Sequence, residues 1–176
     1  SAEFLQKNFP GVKLIENKTN LGFAKANNLA LQQCSGDYIL FLNPDTIITE
    51  SILEQCLLHF KSNKNTGAAG VRMIDGNGKF LPESKRAFPS PMISFWKLTG
   101  ASAVFPGSKF FNRYALGYLS EHEVHKVDVL CGAFFMAPKN LLLHINGFDE
   151  NFFMYGEDID LSYRIRQQGM EVYYLG

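Results

Sequence analysis

The amino-acid sequence predicts an α/β protein built on a mainly parallel, doubly wound sheet. Three observations carry this expectation. The run Tyr38-Ile39-Leu40-Phe41-Leu42 is apolar at every position, as in a strand buried on both faces of a parallel sheet. Strand-like runs alternate with segments of helical periodicity along the chain. The first and last helical segments run into Gly36 and Gly169, the residue type that stops helices.

In chain order, Val12-Lys13-Leu14-Ile15 reads as a short strand, and the polar turn 17–22 leads into a helix over 23–34. The buried strand 38–42 follows and ends in Asn43-Pro44-Asp45-Thr46, where proline prevents the strand from continuing. Ser51-Ile52-Leu53-Glu54 has the spacing of a capping box, and apolar residues at 52, 53, 56, 57 and 60 form one helical face. Residues 67–74 read as a strand ending in the turn Asp75-Gly76-Asn77-Gly78, a hairpin signal answered by Lys79-Phe80-Leu81. From 82 to about 125 the periodicity dissolves into prolines, glycines, aromatics and the basic residues Lys85, Arg86 and Arg113, the signature of a functional loop or a mobile insertion. Residues 127–137 then read as one long apolar strand with Asp128 as its single charge, followed by a short helix over 139–145. A helix over 157–168 and a last strand over 171–175 complete the pattern.

A chain of 176 residues fits one domain, spanning 1–176, with one core. Lysine plus arginine and aspartate plus glutamate each number 17, so the formal net charge is zero and the electrostatic footprint of a nucleic-acid binder is lacking. Cys34, Cys56 and Cys131 are odd in number and set in apolar sequence, which fits buried thiols in a reducing compartment rather than a disulfide frame or a zinc site. No apolar run approaches the ~18 residues of a membrane-spanning helix. His122 and His125, flanked by Glu121 and Glu123, read as a charged surface loop rather than a metal site.

Two acidic features carry chemistry. Glu157, Asp158 and Asp160 crowd the start of a helix. One acid there complements the helix dipole, but three repel one another unless a cation or a proton-transfer role keeps them together. The competing reading is an elaborate cap in which Asp160 pairs with Arg164 one turn later. Helical spacing puts 157 and 160 on nearly one face and 158 about 100° away. Asp45, beyond the carboxyl end of strand 38–42, stands where open α/β sheets gather ligands and where a carboxylate can hold a hard divalent cation. A plain strand-to-helix turn is the alternative there.

Four landmarks occur in order: Asn17-Lys18-Thr19-Asn20-Leu21-Gly22-Phe23-Ala24; Leu42-Asn43-Pro44-Asp45-Thr46; Leu130-Cys131-Gly132-Ala133-Phe134-Phe135-Met136; and Gly147-Phe148-Asp149-Glu150 leading to Gly156-Glu157-Asp158-Ile159-Asp160-Leu161. Together they resemble the inverting glycosyltransferases of family 2, with the GT-A fold, and especially the rhamnosyltransferase-like branch. The resemblance implies transfer of a sugar from a UDP- or dTDP-sugar to a hydroxyl of a glycan or lipid-linked acceptor, with inversion, in cell-surface polysaccharide or lipopolysaccharide synthesis. It implies a divalent metal, Mg or Mn, held by Asp45, with Asn43 where many relatives carry a first aspartate. It makes Asp158 the catalytic base, with Glu157 and Asp160 as competing candidates. Lys25, Asn27 and Asn28 fall where relatives contact the nucleotide, and Gly132 and Ala133 leave room for the sugars. Tight packing of a central strand is the alternative for that pair.

The resemblance further implies a fragment, lacking the first strands that carry the base-binding pocket and a later segment in which relatives often place a further metal ligand. The sheet edge so uncovered leads to an expected homodimer. The full-length protein is expected to be cytoplasmic and peripheral at the inner face of the membrane. Two other functions fit the same residues. One is a non-catalytic sugar- or nucleotide-binding module of this fold. The other is a metal-dependent nucleotidyltransferase, which the missing glycine- and lysine-rich phosphate loop disfavours.

Overall fold

A computed structural model describes residues 2–49, 51–91, 108 and 114–176. The middle of the loop expected over 82–125, with Arg113, lies outside the described residues. Chain order runs α1 (Ala2–Asn8), α2 (Phe23–Leu31), β1 (Tyr38–Leu42), α3 (Ile52–Ser62), β2 (Thr66–Val71), a single 3-10 turn (Pro82–Ser84) and β3 (Lys85–Arg86). It continues with β4 (His125–Val127), β5 (Val129–Leu130), β6 (Phe134–Pro138), α4 (Lys139–His144), α5 (Glu157–Gln167) and β7 (Glu171–Leu175).

The main sheet has the order β1-β6-β2-β7-β4, and β3 pairs with β5 in a separate two-stranded ribbon. The α/β class holds, with helices on both faces, but the pairing is mixed rather than mainly parallel. Strands β1, β2 and β7 run one way, while β6 and β4 run the other, so only β2 with β7 is a parallel pair. An all-apolar run reports burial on both faces and is silent on direction, which is why β6 could not be told from a parallel strand. Alternation along the strands divides the core. Phe41, Phe135 and Ala137 face α2, α4 and α5, packing with Leu31, Phe148, Leu161 and Ile165. Phe134, Met136 and Ala69 face α3, packing with Cys56 and Phe60. The small residues of β2 have a packing reason: a Cβ on Gly67 would lie 2.5 Å from Ile165 Cγ2, and one on Gly70 would lie 2.6 Å from Leu130 Cδ2. These positions let α5 and β5 sit directly on the sheet.

Three local expectations are corrected. Residues 12–15 form no strand; Val12 is exposed, and no described strand lies beside the run to accept its hydrogen bonds. The capping box at Ser51 does not close; Ser51 Oγ instead accepts from the side-chain amide of Gln55. The apolar run 127–137 is not one strand, because Asp128 and Gly132 divide it into the end of β4, β5 and β6. Asp128 explains the first break. Its carboxylate accepts from Phe88 N at 3.2 Å and pairs with Arg166, so the chain must turn out of the sheet at that residue. The hairpin signal at 75–78 does form in minimal shape, with Asp75 Oδ1 accepting from the backbone N–H of Asn77 and Lys79 and one bridge between Ile74 and Phe80.

Strand β1 ends the sheet, and among the described residues its outer edge has no strand partner. Leu42 at its end is 39 % exposed. An apolar edge of this kind is a template for pairing. Sedimentation velocity over a range of concentrations is expected to show reversible self-association, and substitution of Leu40 by Lys to weaken it. A monomer at every concentration would mean that the edge is covered.

Candidate active site

The carboxyl ends of β1, β2 and β7 lie at one pole of the sheet together with the start of β6, because Leu42 is in register with Phe134 and Val71 with Leu175. The backbone then draws the sequence landmarks together. Asn43 N donates to Ala133 O at 3.0 Å, and Gly132 N donates to Asp158 Oδ2 at 3.2 Å. Asn43, Gly132, Ala133 and Asp158 thus form one connected group. A Cβ on Gly132 would meet the Asp158 side chain at 3.7 Å, an ordinary contact, so this position opens toward the carboxylate rather than being packed shut.

Helix α5 begins after Gly156, whose φ of 92° belongs to the left-handed region, and Tyr155 before it has φ 70°. The turn is held from outside by Phe23 N donating to Phe153 O at 2.9 Å, which fixes the α5 start against the start of α2. The three acids that follow have separate surroundings. Glu157 is buried, at 8 % exposure, with Oε2 unpartnered among the described residues. Asp160 pairs with Arg164 at 2.7 Å, and Arg164 also donates to Ile145 O at 2.7 Å, so the capping alternative describes this one acid. Asp158 is the acid joined to the strand-end group. Arg86 Nη2 donates to its Oδ2 at 2.6 Å, Gly132 N donates to the same oxygen, and Ile159 N donates to Oδ1 at 2.8 Å. A carboxylate offers about four acceptor positions, so three are filled and one on Oδ1 has no protein donor among the described residues.

Arg86 was not singled out as a site residue from the sequence. Its only signal was a pair of basic residues inside an aromatic, proline-rich stretch. Strand β3 aims the two side chains oppositely. Lys85 is buried and donates through Nζ to the carbonyls of Leu116, Leu119 and Ser120, with the rings of Phe80 and Tyr174 alongside; burial pulls its pKa below the usual lysine value, partly offset by the charge of Glu121. Arg86 points to Asp158 and to Leu130 O at 2.9 Å. Burial disfavours its charge, but Asp158, with a smaller contribution from Tyr114, outweighs it and the guanidinium pKa is raised.

Asp45 is exposed in the turn after β1, where Thr46 N donates to Asn43 O at 3.1 Å. No hydrogen bond or ion pair engages its carboxylate among the described residues, and none of these residues forms a cluster of three His, Cys, Asp or Glu side chains suited to a metal. One free carboxylate beside one amide fits a hard cation held mainly by phosphate oxygens and water. Lys25 is exposed on α2 and forms no ion pair among the described residues. Asn28 does a different job from the one expected. Its amide accepts from Phe148 N at 2.9 Å and donates to Phe148 O at 2.9 Å and to Glu150 at 3.2 Å, so both ends clamp the turn 147–150 and the group is not available to a nucleotide. Asn27 likewise turns its amide back onto Phe23 O within the helix.

Comparison with known proteins bears on the fold and the family. The family described as "Glycosyl transferase family 2" matches residues 1–120, and that described as "N-terminal domain of galactosyltransferase" matches residues 121–175. The chain is similar to rhamnosyltransferase WbbL of Escherichia coli K12, 28 % identical over 163 residues, covering 88 % of this chain and 58 % of that protein. It is similar to the hexosyltransferase Agl10 of low-salt glycan biosynthesis in Haloferax volcanii, 26 % identical over 166 residues, covering 92 % and 48 %. It is also similar to an N-acetylglucosaminyl-diphospho-decaprenol L-rhamnosyltransferase of Mycobacterium tuberculosis, 26 % identical over 172 residues, covering 92 % and 55 %. The chain spans about half the length of these curated relatives. Among solved structures, a crystal structure of GalNAc-T7 with UDP, GalNAc and Mn2+ superposes with a TM-score of 0.67 at 14 % identity, over 99 % of this chain and 32 % of that one. The sheet and its helices are therefore a GT-A fold, and the chain belongs to glycosyl transferase family 2.

Proposed function

We propose that this chain, as a single domain over 1–176, is catalytic machinery of an inverting glycosyltransferase. It moves a sugar from a UDP- or dTDP-sugar to a hydroxyl of a glycan or lipid-linked acceptor, in cell-surface polysaccharide or lipopolysaccharide synthesis. The carrying observation is Asp158, a carboxylate held by three donors, with one Oδ1 position lacking a donor among the described residues, at the same pole as Asn43 and Asp45. The names of the bacterial relatives, two of them rhamnosyltransferases and one acting on a lipid diphosphate, support the substrate class.

In this reading Oδ1 of Asp158 takes the proton of the acceptor hydroxyl as that oxygen bonds to the anomeric carbon. The bond from that carbon to the diphosphate oxygen breaks on the opposite side, and the nucleoside diphosphate leaves with the bonding pair. Gly132 and Ala133 leave space for the two sugars, and Lys25 offers a cation to the nucleotide side. Asp45, with Asn43 beside it, would hold a Mg or Mn ion, which would supply neutralisation of the charge growing on the diphosphate. The protein works in the cytoplasm, peripheral to the membrane where a lipid-linked acceptor is presented.

Two measurements on the full-length protein test this. Slow release of sugar from UDP- or dTDP-sugars into water is expected from an enzyme, and none from a binding module. In calorimetry, UDP or dTDP is expected to bind at least ~10-fold tighter with Mn2+ than without, and Asp45→Ala to abolish that gain. Binding that is independent of metal, or unaltered by Asp45→Ala, would sink the assignment.

A further inference from the structure

The ion pair between Arg86 and Asp158 joins two elements that the sequence keeps far apart. Arg86 lies on β3, a strand of two residues held by pairing with β5, with Arg86 in register with Val129. Its side chain is 13 % exposed and that of Asp158 is 14 % exposed, so the pair is largely shielded from water. One guanidinium nitrogen is shared between Leu130 O at 2.9 Å and Asp158 Oδ2 at 2.6 Å, which ties the direction of the arginine to the backbone of β5. Gly132 N, two residues on, reaches the same carboxylate oxygen. The carboxylate of Asp158 is therefore gripped from the β5–β6 connection on one side and from its own helix through Ile159 N on the other.

We infer that Arg86 is a positioning residue for the transfer reaction: by saturating Oδ2 together with Gly132 N, it fixes the plane of the Asp158 carboxylate so that the open position of Oδ1 points at the acceptor hydroxyl. This rests on the reading of Asp158 as the base. The geometry favours orientation over donor binding, because Nη2 of Arg86 is committed to the Asp158 carboxylate and the Leu130 carbonyl and the guanidinium also bonds Tyr114, so its charge is already paired inside the protein. A misoriented base is costly even when its charge is unchanged, since displacement of a reacting group by about 1 Å costs on the order of 100-fold in rate.

The test uses the full-length protein and whichever of UDP-glucose, UDP-galactose, UDP-N-acetylglucosamine and dTDP-rhamnose it turns over. Arg86→Gln is expected to lower kcat by about 10- to 100-fold, with the donor KM and the affinity for UDP with Mn2+ within about twofold of wild type. Arg86→Lys, which keeps the charge but lacks the rigid planar guanidinium that aims Nη2 at both acceptors, is expected to fall between the two. In an Asp158→Asn background, Arg86→Gln is expected to add almost nothing, because the two residues act as one unit. A tenfold or greater weakening of UDP binding in Arg86→Gln would make Arg86 a donor ligand and overturn the inference. So would a loss that adds fully to that of Asp158→Asn, or equal losses in Gln and Lys variants that both melt earlier, which would assign the effect to folding. An inactive Asp158→Asn with a fully active Arg86→Gln overturns this inference alone, whereas an active Asp158→Asn removes the base assignment beneath it.

Discussion

Asp158→Asn is expected to lower the turnover rate of the full-length enzyme by at least ~100-fold while leaving donor affinity within a few-fold. The amide keeps the shape and can still accept from Arg86 Nη2 or Gly132 N through its oxygen, but it cannot take a proton at the position that Oδ1 leaves open. The comparison that matters is with its neighbours on α5. Asp160 is already engaged by Arg164, so Asp160→Asn is expected to cost little activity and to show itself in stability, as loss of one partly buried ion pair. Steady-state kinetics of the two variants decide the base. If Asp160→Asn is crippling and Asp158→Asn mild, Asp158 is not the base.

The largest effect on stability is expected away from the reacting atoms, at Gly147. Its φ of 63° lies in the left-handed region, and a Cβ there would stand 2.3 Å from Asn28 Oδ1. Alanine would meet two penalties at once: backbone strain, and displacement of an amide that pairs with both backbone groups of Phe148. Together these amount to roughly 2–4 kcal/mol. For a domain of this size that lowers the melting temperature by roughly 5–12 °C. Thermal melts followed by circular dichroism check this, with Asn28→Ala as the partner variant. Once Asn28 is removed only the strain remains, so the second substitution should cost less in that background than alone. A Gly147→Ala protein melting within 2 °C of wild type would show that the clamp yields freely.

What was legible in the sequence divides along local and non-local lines. Helices α2, α3 and α5 and strands β1 and β7 were visible because each is specified by its own residues, apolar spacing inside and glycine or polar stops outside. The direction of β6 was not, because pairing order depends on connections rather than on composition. The same limit split the run 127–137: Asp128 looked like a stray charge in a strand until Arg166 and Phe88 N stood beside it. At the site, Asp45 and Asp158 were singled out from motif and resemblance. The clamp at Asn28 and the grip of Arg86 were missed because their partners are distant in sequence, and no spacing rule reaches across such gaps. Conversely, three adjacent acids looked like one cluster, and the structure gives them three unlike environments.

The order of the sheet also bears on how the chain comes to be folded. Tyr38 waits for Pro138, Ala69 for Met136, Thr66 for Glu171 and His125 for Tyr174, so among the described residues no two neighbouring strands of the main sheet are joined by a short hairpin. Pairings of this kind need long loops to close before any contact repays the loss of chain freedom, and they slow folding. During synthesis the apolar strand β1 leaves the ribosome well before β6 exists to cover it, and β2 waits longer still for β7. A nascent chain halted before residue 138 would carry an unsatisfied apolar strand and no means of burying it, the condition that recruits chaperones or seeds aggregation. The pole that gathers Asn43, Gly132 and Asp158 is thus among the last parts of the molecule to take shape.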